Sequence, residues 1–199
     1  MRDFAVDLHM HSCLSPCGDE LMTPNNIPRM ALLKGLDMIA VSDHNTALQL
    51  PAVAEVCGEL GLALLPALEV TTREEVHLLA YFPTVERALA FSEAIYPHLA
   101  PIPNRPDFFG RQVRMDADDE ETGEEGRLLI SALDLSLSEV SALVREMGGL
   151  PVPAHINRGG NGLLNALGFL PPEPAFEALE ISKNLPCPGD YPKHKILHA

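Results

Sequence analysis

The sequence predicts an α/β fold in which a mostly parallel sheet is covered by helices, either closed into a barrel or left open. Three observations predict it. Short apolar runs alternate with amphipathic segments along the chain, and the runs are near-continuous in apolar character, as strands buried on both faces are. With 199 residues, 46% of them hydrophobic, the chain is long enough for one sizeable core, so a single domain over 1–199 is expected.

The elements follow in order. The first strand is 4–8, Phe-Ala-Val-Asp-Leu, entered directly from Met1-Arg2-Asp3. A helix is predicted over 24–35, with Thr23 as N-cap and Pro24 at the first helical position. Strand 37–41 is Asp-Met-Ile-Ala-Val, and helix 48–60 carries Cys57 on its apolar side, as a core residue. Strands 62–68 and 76–82 come next. Only six residues separate Glu69 from Val76, too few for the crossover a parallel partner requires, so 76–82 returns antiparallel and brings His77 beside Glu69. Helix 85–97 follows. Helix 137–148 starts behind Ser136 or Ser138, with Glu139 in the first turn where the helix dipole favours an acid. Strands at 150–154, 178–182 and 195–198 complete the set.

Residues 101–127 read as an insertion. Three prolines between 101 and 106 lead into an acidic hairpin whose tract Asp116–Glu125 holds seven acids and Gly123, most simply a solvated loop tip.

Charge and cysteine usage narrow the function classes. Lys plus Arg number 14 against 28 for Asp plus Glu, a net charge of −14 that offers no general attraction to a phosphate backbone or an anionic membrane. The expected partner is therefore a small phosphorylated molecule, with long nucleic acid and membrane disfavoured. An anionic substrate then needs concentrated local positive charge, which bound divalent ions supply. The chain has no run of eighteen apolar residues and no stretch of signal-peptide length, so a cytoplasmic location is expected. Cysteines 13, 17, 57 and 187 are too scattered for a disulfide framework and are expected as free thiols. Cys13 and Cys17 lack the third close cysteine that an iron–sulfur cluster needs.

The chemistry gathers where apolar runs stop. His9-Met10-His11 follows the first strand, and residues two apart on a strand share a face about 7 Å apart, so two imidazoles can converge on one cation. Ser42-Asp43-His44 follows the second strand, Glu69 ends the third, His77 opens the returning strand, and Ala154-His155 ends the next. In parallel α/β folds the carboxyl ends of strands collect catalytic groups on a rigid frame. Five histidines and a glutamate exceed what one cation needs, which points to two or more divalent ions with Glu69 as the bridge. Arg158, on the loop after His155 with Gly159 and Gly160, is a candidate for a bidentate contact to a phosphate.

Asp7-Leu8-His9-Met10-His11-Ser12, the run Gly35 to His44, Glu69, Glu75-Val76-His77 and Pro153-Ala154-His155 resemble the PHP domain, the polymerase and histidinol phosphatase family, over essentially the whole chain. The resemblance implies a distorted TIM-like (β/α)7 barrel of seven strands, up to three divalent ions and phosphoester hydrolysis. It implies that His9, His11 and Glu69 hold one ion, Glu69, His77 and His155 a second, and His44 belongs to a third, with Asp43 hydrogen-bonding near the cluster. Where the family has an Asp before a Gly, this chain has Cys17-Gly18, so Cys17 is the candidate third-site ligand, the alternative being a loop cysteine with Asp19 as the ligand; a thiolate tilts preference toward zinc or iron over manganese or magnesium. The family's closing Asp-x-His after the last strand is absent from Lys195–Ala199, so a shortened domain is expected, with His194 and His198 as stand-ins.

Two ions about 3.5–4 Å apart share a water and lower its pKa to about 7, so the expected reaction is phosphoester hydrolysis by a metal-bridged hydroxide. Two other classes fit the same residues. One is a non-catalytic, regulatory metal-binding PHP module. The other is an amidohydrolase-type hydrolase, which also begins a barrel with His-x-His.

Overall fold

Where the sequence alternates apolar runs and amphipathic segments, a computed structural model describing residues 3–198 places strands and helices. Met1 and Arg2, expected to lead straight into the first strand, and Ala199 lie outside the described residues. The strands are β1 (Val6–Met10), β2 (Met38–Val41), β3 (Ala63–Leu64), β4 (Ala67–Thr71), β5 (His77–Tyr81), β6 (Val113–Met115), β7 (Glu121–Glu124), β8 (Leu150–Pro153), β9 (Ala178–Ile181) and β10 (Lys195–His198). The helices are α1 (Asn26–Leu33), α2 (Leu50–Leu60), α3 (Val85–Ile95), α4 (Pro106–Phe109), α5 (Leu137–Glu146) and α6 (Leu163–Leu167).

The expected seven-stranded barrel is not one continuous ladder. Among the described residues the strands form four small sheets, β1-β2-β3, β4-β5-β8, β9-β10 and the hairpin β6-β7. β1-β2-β3 and β9-β10 are parallel, whereas β4-β5-β8 is antiparallel throughout, so the fold is a mixed α/β one. Short strands and local irregularity explain the breaks. Pro66 brings no N–H to a ladder and splits the expected 62–68 strand into β3 and β4. β1 shifts register between Asp7 and Met10, where the first histidine pair begins. Two single links still join the sheets: a parallel bridge between His44 and Glu69, and a bond from Ile156 N–H to Glu180 C=O at 2.9 Å.

Strand alternation produces two apolar layers. Ile39, Val41, Leu68, Val70, Leu78, Ala80 and Leu179 face outward into the main core under the helices, with Phe82 and Phe91 in ring contact at 5.1 Å. Ala40, Ala67, Leu79, Tyr81, Val152, Ala154 and Ala178 face inward and pack on one another. Small inward residues let the strand ends converge, and Glu69 lies on that inward face two residues past Ala67.

Helix boundaries follow local chemistry. Thr23 accepts from Asn26 N–H through its hydroxyl at 3.2 Å and from Ile27 N–H through its carbonyl at 3.0 Å, so it does a cap's work although α1 is assigned from Asn26. Ser136 and Glu139 form a full capping box at α5. Cys57 is buried, as expected, and all four cysteines are free.

The acidic hairpin is tied to the frame by specific bonds, while Asp116, Asp118, Glu120, Glu121 and Glu124 stay exposed, as expected of a solvated tip. Gln49 exchanges two bonds with the Met115 backbone at 2.7 and 3.1 Å, Val113 N–H reaches Cys13 C=O, and Arg111 pairs with Glu121 and Glu124. Asp119, in the hairpin turn, accepts from the Thr23 hydroxyl at 2.7 Å and Asn25 N–H at 2.9 Å. Asp119 thus meets partners 94 and 96 positions away along the chain. Asp119→Ala removes both bonds at the start of α1 and is expected to cost about 1–2 kcal/mol; thermal unfolding of the two proteins measures it, and an unchanged midpoint would exclude the anchoring role.

Candidate metal centre

Glu69 is the point on which the strand ends converge. Its carboxylate is 1% exposed and lies 3.2 Å from His9 Nε2, 3.3 Å from His11 Nε2, 3.4 Å from His44 Nδ1, 2.9 Å from His77 Nδ1 and 3.1 Å from His155 Nε2. The antiparallel return of β5 pairs His77 with Thr71, which sets its ring on the face that carries Glu69. Ring centroids step around the carboxylate at 5.3 Å (His9–His11), 4.6 Å (His11–His44), 5.1 Å (His44–His77) and 5.3 Å (His77–His155).

Donor atoms of three groups each lie within 4.8 Å of one another: His9 with His11 and Glu69, His44 with Glu69 and His77, and His11 with Cys17 and His44. His44 Nδ1, both nitrogens of His77 and His155 Nδ1 are buried without a hydrogen-bond partner. Buried polar atoms left unpaired are costly, and a set of imidazole and carboxylate donors aimed at common points is what divalent cations require. The residues present therefore fit bound metal. The groups differ in one respect from those implied by the resemblance, because His44 stands with Glu69 and His77 while His155 touches Glu69 Oε1.

The loop after β1 is held by Asp43. Its carboxylate accepts from Ser12 N–H at 2.7 Å, the Ser12 hydroxyl at 2.6 Å and the Ser15 hydroxyl at 2.7 Å, and Ser15 Oγ in turn accepts from His44 N–H at 3.0 Å. Gly18 closes this loop so tightly that an added Cβ would stand 2.0 Å from the Ser12 carbonyl oxygen. The result carries Cys17, which is exposed, to His11 and His44. Asn45, at φ 53°, locks the neighbouring loop by donating to Leu129 and Ser131 carbonyls and accepting from Thr71 N–H.

Electrostatics without metal are lopsided. Burial alone would lower the pKa of His9, but Glu180 and Glu69 reverse this and raise it to about 9. Burial likewise opposes charge on His11, and contacts with Cys17 and Glu69 raise it to about 10. His44, deeply buried, falls to about 3. Burial would push Glu69 up, yet the His11, His155, His77 and His9 imidazoles hold its carboxyl well below the usual range.

Of the residues singled out in the sequence, His9, His11, Cys17, His44, Glu69, His77 and His155 come together. Asp43 lies beside them, its carboxylate bonded to Ser12 and Ser15 and its carbonyl accepting from Glu69 N–H. Arg158 is exposed on the loop after β8, its N–H bonded to His155 C=O at 2.8 Å. His198 lines a cavity of about 390 Å³ behind His9, and His194 packs near Tyr191; neither joins the three donor groups. The reading of the sequence passed over Glu180, whose carboxylate is 3.0 Å from His9 Nδ1. An acid inside the apolar run Ala178-Leu179-Glu180-Ile181 was the available signal.

No family model matches the chain. The curated 5'-3' exoribonuclease Rnm of Salmonella typhimurium is 36% identical over 73 residues, which are 36% of this chain and 24% of that protein. Among solved structures, the lesion-specific endonuclease Q of Pyrococcus furiosus aligns with 89% of this chain at TM-score 0.65 and 22% identity. An endonuclease Q complex with a 27-mer duplex bearing an abasic lesion at the active site aligns with 92% at TM-score 0.67 and 22% identity. A protein named as a metal-dependent phosphoesterase, from Bifidobacterium adolescentis, aligns over 93% of this chain and 80% of its own at TM-score 0.61 and 20% identity. The chain spans 42% and 44% of the two endonuclease chains and about a quarter of the exoribonuclease. The fold is PHP-like, as the motifs implied.

These comparisons overturn the expectation of a small phosphorylated partner with long nucleic acid disfavoured: one neighbour holds a DNA duplex and the curated relative is an exoribonuclease. A net charge of −14 describes the surface as a whole and not the local field at a cluster of imidazole and carboxylate donors.

Metal binding must displace the protons that His9 and His11 hold below about pH 9 and 10. Affinity for zinc is expected to rise from pH 6 to pH 9, by about tenfold per unit for each proton displaced. Chelator competition at several pH values measures this, and a flat profile would contradict the assignment.

Proposed function

We propose that this chain carries a metal-dependent phosphoesterase site acting on nucleic acid. The observation that carries the reading is the buried Glu69 carboxylate ringed by five imidazoles, several of whose nitrogens have no hydrogen-bond partner. The fold shared with endonuclease Q and the partial match to an exoribonuclease support a phosphodiester backbone as the substrate class.

In this reading the chain, as one PHP-type domain, holds two or three divalent ions. His9, His11 and Glu69 would hold one, Glu69 with His77 and His155 a second, and His44 with Cys17 a third, where the thiolate favours zinc or iron. Bound there, such ions supply an activated water and neutralise the oxygens of the phosphate under attack. The chain's own groups do the positioning. Glu69 sets the spacing of the donor groups, Asp43 keeps the loop carrying His11 and Cys17 in place through Ser12 and Ser15, and Arg158 reaches from the β8 loop to a backbone phosphate.

The test is cleavage of short single-stranded DNA and RNA by the purified chain with manganese, zinc or iron(II). Strand cleavage that chelator abolishes is expected, with Glu69→Gln binding metal about a hundredfold or more weakly. Full metal occupancy with intact oligonucleotides under every metal would refute the proposal. Arg158→Ala is expected to raise KM for an oligonucleotide about tenfold while kcat changes little; steady-state kinetics decide it, and an unchanged KM removes Arg158 from the site.

A further inference from the structure

Glu180 is absorbed by none of the three donor groups, yet it is among the most buried acids in the protein, at 2% exposure. It sits on β9, where alternation sends Leu179 outward into the main core and Ala178 inward to the small apolar layer, so Glu180 shares the inward face with Ala178. A carboxylate in that position persists only with partners for both oxygens. Both oxygens lie 3.0 Å from His9 Nδ1, and Oε2 also accepts from His155 N–H at 2.8 Å.

We propose that Glu180 is the positioning residue of the metal centre: it holds His9 in the form that presents Nε2 forward, and it ties His9 to His155 across the cluster. The inference rests on the metal-site reading. A carboxylate accepts but does not donate, so the proton between Glu180 and His9 sits on Nδ1 and the free lone pair is left on Nε2. Nε2 is the atom that faces Glu69, at 3.2 Å. The second bond acts on the backbone. His155 has φ 28°, a conformation that a residue with a side chain rarely adopts, and its N–H is held by Glu180 while its Nε2 reaches Glu69 at 3.1 Å.

The two arms of the His-x-His pair are thereby oriented by different chemistry. His11 Nδ1 meets the Ser15 hydroxyl, at 3.3 Å, which already donates to Asp43. His9 meets a full negative charge. A carboxylate behind an imidazole makes the ring a stronger donor to a cation than a hydroxyl does, so His9 is the firmer ligand of the pair.

The experiment compares the wild-type chain with Glu180→Gln and Glu180→Ala. Zinc affinity and stoichiometry are read by chelator competition and elemental analysis, the His9 tautomer by nitrogen chemical shifts in the zinc-loaded protein, and folding by circular dichroism without metal. Expected are a fall in affinity of about 10- to 100-fold for one ion in Glu180→Ala, a smaller fall in Glu180→Gln, and protonation of His9 on Nδ1 in the wild type. Folded variants with wild-type affinity, or a wild-type His9 protonated on Nε2, would overturn the proposal. Should both variants fail to fold, the wild-type nitrogen shifts alone decide between these outcomes. A wild-type chain that binds no zinc is a separate result, because it removes the metal-site reading itself and this proposal with it.

Discussion

One buried carboxylate organises this protein. Glu69 is almost wholly removed from water, where an unpaired charge costs several kcal/mol even after relaxation, and five imidazoles from four separate segments answer it. Each must arrive on the inward side of a strand end, so Glu69 constrains β1, β2, β5 and β8 together. The bridge between His44 and Glu69 joins the first sheet to the second at that same residue. Without a cation the arrangement is frustrated: His9 and His11 hold protons against burial, His44 stays neutral, and four imidazole nitrogens find no partner. Bound metal would replace the protons on His9 and His11 and take up lone pairs now without partners, which is the physical reason for reading the cluster as a metal centre.

Around this centre a shell of fixed polar contacts ties the loops down. Asp43 uses its carboxylate on Ser12 and Ser15, Asn45 spans Thr71, Leu129 and Ser131, Gln49 bonds the Met115 backbone, and Gln112 accepts from Leu129 N–H. Each is a buried side chain with its bonds made, which fixes the course of the loops bearing His11 and His44. The insertion thus packs beside the loop that follows β1. Its Arg111 is neutralised by Glu121 and Glu124, and the groove it forms with Cys13, Pro16 and Gly18 runs beside the Cys17 loop.

The acidic balance of the chain and a nucleic-acid substrate are compatible once charge is considered locally. A surface excess of carboxylates sets the long-range field, which salt screens within about 8–10 Å. A divalent ion held by the donor cluster would set the field at contact and outweigh several distant, screened acids.

Much of the fold and of the donor set was legible in the sequence. Strand ends are marked by a change of composition within a few residues, and a histidine or glutamate at such an end announces itself locally; His9, His11, His44, Glu69, His77 and His155 were found that way, and the six-residue link to β5 dictated its antiparallel return. Tertiary structure alone decided the pairings over distance. Glu180 meets His9 from 171 positions away, Asp43 meets Ser12 from 31 and Asp119 meets Thr23 from 96. No periodicity encodes such partners, because a polar side chain is chosen by what it faces and only packing determines that. The same reason explains the sheets: apolar alternation specifies which residues turn inward, whereas continuity of the ladder depends on register and on Pro66, settled only when the strands meet.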